Sequence, residues 1–92
     1  MKLDFTGKKV VVCGGSRGIG RSIALAFAQG GAAVSICARN KQSLDHAASE
    51  LAKASKAKIH HLPCDLANGA QVTAYVKAAA EALGGIDVLV NN

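Results

Sequence analysis

Aromatic side chains are almost missing from this 92-residue chain: two Phe, one Tyr and no Trp. Stacking platforms for unpaired bases need more than that, so nucleic-acid binding is not expected despite a net charge of +5. Proline occurs once, at Pro63, which excludes a Pro-rich linker. The three cysteines, Cys13, Cys37 and Cys64, are an odd number with no paired spacing. That argues against a disulfide framework and for a reducing compartment. No apolar run is long enough to cross a bilayer; the longest, Ile23 to Ala38, is broken by Gln29, Gly30 and Gly31. Asp4 and the short run Val10 to Cys13 are unlike a secretory leader, so the cytoplasm is the expected location. Carboxylates are missing from one stretch in particular: none lies between Gly20 and Asp45.

What the chain does have is small residues. Eighteen alanines and ten glycines stand in a sequence that is 50% hydrophobic and 18% charged, a globular balance. Small side chains let helices lie close to a sheet but contribute little burial each. The length suits one domain or part of one, and excludes separate cofactor and substrate domains. The positive excess sits in residues 1–46, where seven Lys and Arg face only Asp4 and Asp45. That bias suits an anionic ligand.

The order of elements is legible. Lys9 to Cys13 is a β-branched run without alternation, as in a strand buried on both faces. A glycine-rich turn, Gly14 to Gly20, leads into a helix whose stripe is predicted to be Ile19, Ile23 and Phe27, with Ala24, Ala26 and Ala28 filling in, ended by Gly30-Gly31. Ala33 to Cys37 is a second strand. Asn40 caps a helix from Lys41 to about Ala54, with Leu44, Ala47, Ala48 and Leu51 inward. Lys58 to Leu62 reads as a third strand, closed by Pro63. Asn68 caps a third helix with Gln71 placed for a capping box, and its predicted stripe is Val72, Val76, Ala79, Ala80 and Leu83. Gly84-Gly85 ends it, and Ile86 to Val90 is a fourth strand. Alternating strands and helices imply a parallel α/β sheet.

Cys13-Gly14-Gly15-Ser16-Arg17-Gly18-Ile19-Gly20 carries the chemistry. It follows a strand and opens a helix, the context a dinucleotide-binding turn requires. Gly14 permits a sharp turn, Gly18 clears room for a pyrophosphate, and Gly20 lets the helix pack on the strand. Amides at the helix start, with the macrodipole, offer an anion site. Ser16 adds a hydroxyl and Arg17 a charge. No Gly-Lys-Ser/Thr follows, which excludes a P-loop. Where a ribose-binding acid would stand, after the second strand, the sequence has Ala38-Arg39. An arginine binds a 2′-phosphate that a carboxylate would repel, so NADP(H) is expected over NAD(H), with Arg17 reaching the same phosphate.

These residues resemble the short-chain dehydrogenase/reductase family. The glycine segment is similar to its Thr-Gly-x-x-x-Gly-x-Gly motif, with Cys13 in place of Thr. Cys64-Asp65-Leu66 resembles its acidic position after strand three, and Asn91-Asn92 the start of its Asn-Asn-Ala-Gly motif. Ala38-Arg39-Asn40 is similar to its NADP-using form. The resemblance implies a Rossmann-type, doubly wound parallel sheet of strand order 3-2-1-4. Residues 1–92 would be the N-terminal part of a single NAD(P)-binding domain. It further implies cofactor contacts from Gly14, Ser16, Arg17, Gly18, Ile19, Gly20, Arg39, Asp65, Leu66 and Asn91, with Asn91 bracing the sheet beside the ribose. The 3-oxoacyl-carrier-protein reductases are the nearest flavour within the family. The family's catalytic Ser, Tyr and Lys belong beyond Asn92, so the 92 residues alone are expected to be inactive. The whole enzyme is expected to move hydride between NADPH and a carbonyl or alcohol, and to form homo-oligomers. The alternative is a dinucleotide-binding module or truncated remnant without catalysis. Tyr75, with Ala79 four residues on, reads as a helix residue and not a proton donor. His60 and His61 alternate across a strand and so do not suit one metal ion. Neither metal nor membrane partners are expected. Cys13 and Cys37 are expected as small buried apolar groups, and Cys64 is placed near the cofactor rim with nothing nearby that clearly lowers its pKa.

Overall fold

The computed structural model describes residues 3–92. Seven elements alternate: β1 (Lys9–Cys13), α1 (Gly18–Gln29), β2 (Ala33–Ala38), α2 (Lys41–Ala54), β3 (Ile59–Pro63), α3 (Gly69–Leu83) and β4 (Val88–Asn91). The strands form one parallel sheet in the order β3-β2-β1-β4, as expected. β1 sits between β2 and β4, with Val10 opposite Val34 and Val88, and Cys13 opposite Cys37 and Asn91.

Burial on both faces explains the unbroken apolar composition of β1 and β2. Alternate residues feed two cores. Val10, Val12, Val34 and Ile36 pack with Ala24, Ala28, Leu44 and Leu51 beneath α1 and α2. Val11, Cys13 and Cys37 pack with Cys64, Tyr75, Ala79 and Leu83 beneath α3. The sheet is thus covered by two helices on one side and one on the other.

Two predicted stripes are corrected. On α1 the buried residues are Gly20, Ala24 and Ala28, while Ile19 is 72% exposed and Ile23 and Phe27 are half-buried. The helix turns its smallest residues to the sheet because close approach buries backbone as well as side chains. Ile23 and Phe27 pack at the margin of that core, and Phe27 also meets Phe5, ring centroids 4.7 Å apart. On α3 the buried residues are Tyr75, Ala79 and Leu83, with Val72, Val76 and Ala80 half-buried at the flanks. Tyr75 lies inside because Ser35 on β2 supplies a partner for its hydroxyl, 2.6 Å away. Strand limits shift slightly: β3 starts at Ile59 and includes Pro63, and β4 starts at Val88. Pro63 is tolerated because β3 is an edge strand.

Asn40 and Asn68 cap their helices as expected, accepting from Ser43 N at 3.0 Å and Gln71 N at 3.1 Å. The capping box is not completed, since Gln71 Oε1 accepts from Asp65 N (2.9 Å) and so ties the β3–α3 loop to the helix. Among the described residues, no helix is long and apolar enough to cross a membrane.

Candidate nucleotide site at the strand ends

The carboxyl ends of β1, β2 and β3 open on one edge, where loops diverge and a ligand can reach the sheet. The β1–α1 turn is held from below. Gly14 N and Gly15 N both donate to Cys37 O, at 3.0 and 3.1 Å. Gly14 and Gly18 adopt positive φ, +84° and +60°. A Cβ on Gly20 would fall 2.3 Å from Gly14 O, so only glycine allows the helix to start there. A Cβ on Gly18 would meet nothing within 4 Å. The space above Gly18 is therefore open, the bare backbone that a pyrophosphate needs.

α1 differs from its neighbours at its start. Arg17 occupies the cap position without a side-chain cap bond, and no acidic residue stands in the first turn. The amides of the first turn have no intrahelical acceptor, by helix geometry. They form an uncapped positive end, which an anion satisfies. The turn fits a diphosphate on this ground.

Beside it lies a cavity of about 290 Å³ lined by Ser16, Arg17, Ala38, Arg39 and Asn40. Two cations and no carboxylate line it, which suits a phosphate monoester. A second cavity of about 340 Å³ continues the cleft past Gly14 and Ala38 to Cys64, Asp65, Leu66 and Ala67. Asp65 Oδ1 accepts from Ala67 N at 3.0 Å, which fixes its side chain at the loop. Leu66 is 40% exposed and offers an apolar surface at the rim. Ile19 stands free on the first turn of α1, its side chain covered by none of the sheet core.

The structure thus brings Gly14, Ser16, Arg17, Arg39, Asp65 and Leu66 around one cleft, with Gly18, Ile19 and Gly20 on the adjoining helix start. Asn91 pairs with Cys13 across the ladder and is exposed. The residue that touches the turn is Asn92, whose Nδ2 donates to Gly14 O at 3.3 Å and whose N donates to Cys13 O at 3.3 Å. Sequence reasoning missed it. The signal was present, since neighbouring residues on a strand face opposite ways and only one of an Asn-Asn pair can face the turn.

Cys13 and Cys37 are buried as expected, and Cys64 joins them. Cys13, Cys37 and Cys64 converge in the core under α3, and all three are buried and free. Burial raises the pKa of the Cys13 thiol, and pushes that of Cys37 up to about 12. Cys64 lies at the rim as expected, but it is 2% exposed, its side chain buried beneath the loop. His60 and His61 do face opposite ways, His60 towards Ser35 and His61 towards Asp45. His46 pairs with Glu50 at 2.9 Å while staying exposed.

Comparisons with known proteins bear on the same residues. The family profile described as short chain dehydrogenase matches residues 8–92. Hydroxysteroid 11-beta-dehydrogenase 1-like protein B of Xenopus laevis is 38% identical over 91 residues, covering 99% of this chain and 31% of the frog protein. An uncharacterized oxidoreductase of Mycobacterium tuberculosis is 41% identical over 85 residues, 92% of this chain and 32% of that one. The crystal structure of L-sorbose reductase from Gluconobacter frateurii, complexed with NADPH and L-sorbose, is similar at a TM-score of 0.91 and 36% identity. The match covers 100% of this chain and 35% of the reductase. The chain spans about a third of the length of the curated relatives it matches.

Proposed function

The chain belongs to the short chain dehydrogenase family, and on that premise we propose that the whole protein is an NADP(H)-dependent oxidoreductase. It would move hydride between NADPH and a carbonyl or alcohol substrate, with residues 1–92 forming the cofactor-binding half. The observation that carries the cofactor choice is the cavity bearing Arg17 and Arg39 with no carboxylate on its wall.

The nicotinamide cofactor supplies or accepts the hydride when bound. Each residue of this chain has a separate task. The open backbone at Gly18 and the uncapped start of α1 receive the diphosphate. Arg39, with Arg17 and Ser16, holds the 2′-phosphate through charge-assisted hydrogen bonds. Asp65 and Leu66 bound the adenine end. Asn92 braces the turn from beneath. Tyr75, buried and bonded to Ser35, takes no part in proton transfer to substrate. In this reading the Ser, Tyr and Lys of the family's chemistry lie outside residues 1–92, as do the surfaces for substrate and for homo-oligomer contacts. The cytoplasm is the proposed location.

Titration of the full-length protein with NADPH and NADH tests the assignment. NADPH should bind more tightly, and Arg39→Ala should weaken NADPH roughly 10- to 100-fold, the scale of a lost charged hydrogen bond, while leaving NADH almost unchanged. Tighter binding of NADH by the wild type, or an unchanged NADPH affinity in the variant, would overturn it. The resemblance to 3-oxoacyl-carrier-protein reductases makes a 3-oxoacyl thioester the first substrate to assay.

A further inference from the structure

Ser35 is the one fully buried polar side chain among the described residues, and no part of the nucleotide site uses it. Its Oγ lies 2.6 Å from Tyr75 Oη on α3 and 2.8 Å from His60 Nδ1 on the edge strand β3. Tyr75 is 2% exposed, and its ring runs nearly parallel to the His60 imidazole, 19° between planes. The three groups form a chain across β3, β2 and α3.

Counting hydrogens gives the chain a direction. Two hydroxyls carry two hydrogens, and within the Ser35–Tyr75 pair only one can be accepted. The second needs an acceptor outside the pair, and the one the structure provides is Nδ1 of His60. Tyr75 therefore donates to Ser35, and Ser35 donates to a neutral His60 protonated on Nε2. If His60 gains a proton, Nδ1 becomes a donor. The chain must then reverse, or His60 must swing away, and in either case one buried hydroxyl hydrogen is stranded.

We propose that His60 is a proton-operated latch for α3: neutral, it completes the chain that seats Tyr75 against the sheet, and protonated, it strands a buried hydroxyl and loosens the helix. The groups facing it are few. Lys58 and His61 adjoin it on its own segment, Tyr75 approaches from α3, and β2 contributes the uncharged Ser35. Lys77 and Glu81 are exposed on α3 and, at about 100° per residue, lie around the helix from Tyr75. α2 packs on the opposite face, where Asp45 pairs with His61. Burial of the ring first, then the charges of His61 and Lys58, hold the His60 pKa below its ordinary value of 6.5.

The sign follows. The unfolded chain takes up a proton near pH 6.5 and the native latch resists it, so the contribution is present above that pH and lost as pH falls through the folded pKa. Loosening reaches the β3–α3 loop as well, because Gln71 on the first turn of α3 holds Asp65 N.

Hydrogen exchange on the full chain, corrected for the intrinsic pH dependence, tests the latch. Between pH 7.5 and 5.5 the segment 69–83 should lose protection relative to α1, on the order of tenfold for one orphaned buried donor. His60→Asn places an amide oxygen near the Nδ1 position without a titratable ring, and its profile should be flat. The double variant Ser35→Ala/Tyr75→Phe removes both hydrogens and should shrink the step to what burial of the ring and its neighbouring charges contribute. His46 and His61 remain in both variants, so a pH step surviving in His60→Asn, an undiminished step in the double variant, or its absence from the wild type, overturns the proposal.

Discussion

Gly18 and Gly20 stand two residues apart, and each is held to glycine by a different physical cause. Gly18 has a left-handed φ of +60°, which glycine adopts freely, and empty space where a Cβ would go. Gly18→Ala should cost about 1–2 kcal/mol for the left-handed backbone, with the fold retained and nucleotide affinity reduced by the methyl in the phosphate path. Gly20 has no such space, since its Cβ would fall 2.3 Å from Gly14 O and 2.7 Å from Asn92 Nδ2. Gly20→Ala should cost more, about 3 kcal/mol, because backbone must move. Urea midpoints and a nucleotide titration on both variants separate the two roles. If Gly18→Ala binds nucleotide like the wild type, the phosphate path is misplaced. The sequence marked both positions as special. It also gave them separate roles, open approach at Gly18 and close packing at Gly20; that Gly14 O and Asn92 are the atoms crowding Gly20 depends on what the fold brings across the turn.

Among the elements, the three helices begin differently, and stability should follow the difference. Asn40 and Asn68 each satisfy an amide at a helix start. Asn68→Ala should therefore cost about 1 kcal/mol in a thermal or urea melt, with Asn40→Ala similar. Arg17 makes no cap bond, so Arg17→Ala should change stability by less than about 0.5 kcal/mol. Its loss should appear instead as weaker binding of the 2′-phosphorylated cofactor. Equal destabilisation by all three would show that Arg17 is a structural cap. The packing of α1 carries a related expectation. Ala24 is fully buried where the helix meets the sheet, and Ala24→Leu should cost about 1–3 kcal/mol by overpacking. Periodicity put Ile19, Ile23 and Phe27 at the centre of that face with Ala24, Ala26 and Ala28 filling in, since it weighs hydrophobicity and takes no account of how closely two backbones approach.

For the whole molecule, the burial of ionisable groups sets an upper pH limit. The Cys13, Cys37 and Tyr75 side chains are held neutral by burial, with pKa values above their ordinary 9.0 and 10.0. The unfolded chain releases these protons first, so their contribution is complete below pH 9 and declines as pH rises towards the folded values. Stability measured by urea should fall on the alkaline side from about pH 9, and the native thiols should resist iodoacetamide at neutral pH. Rapid alkylation of the native protein would contradict the buried cluster. The sheet also has two edges. β4 is bonded only to β1, and Leu89 is 54% exposed beside it. Residues 1–92 expressed alone should self-associate through that edge, and Leu89→Lys should reduce the association seen by size exclusion.

Local chemistry in the sequence determined the order of the seven elements, the strand–turn–helix placement of the glycines, and the exchange of an acid for Arg39. Each of these depends on a residue and its near neighbours: β-branching, a missing Cβ, a charge beside a turn. Tertiary structure decided what depends on residues far apart along the chain. It set small residues of α1 against the sheet, drew three separated cysteines into one core, and chose Asn92 over Asn91 to meet the turn. It also buried Tyr75, because a serine forty positions away on another element supplied the oxygen its hydroxyl required. A hydrogen-bond partner or a steric limit of that kind exists only once the strands have paired, so no reading of neighbours along the chain contains it.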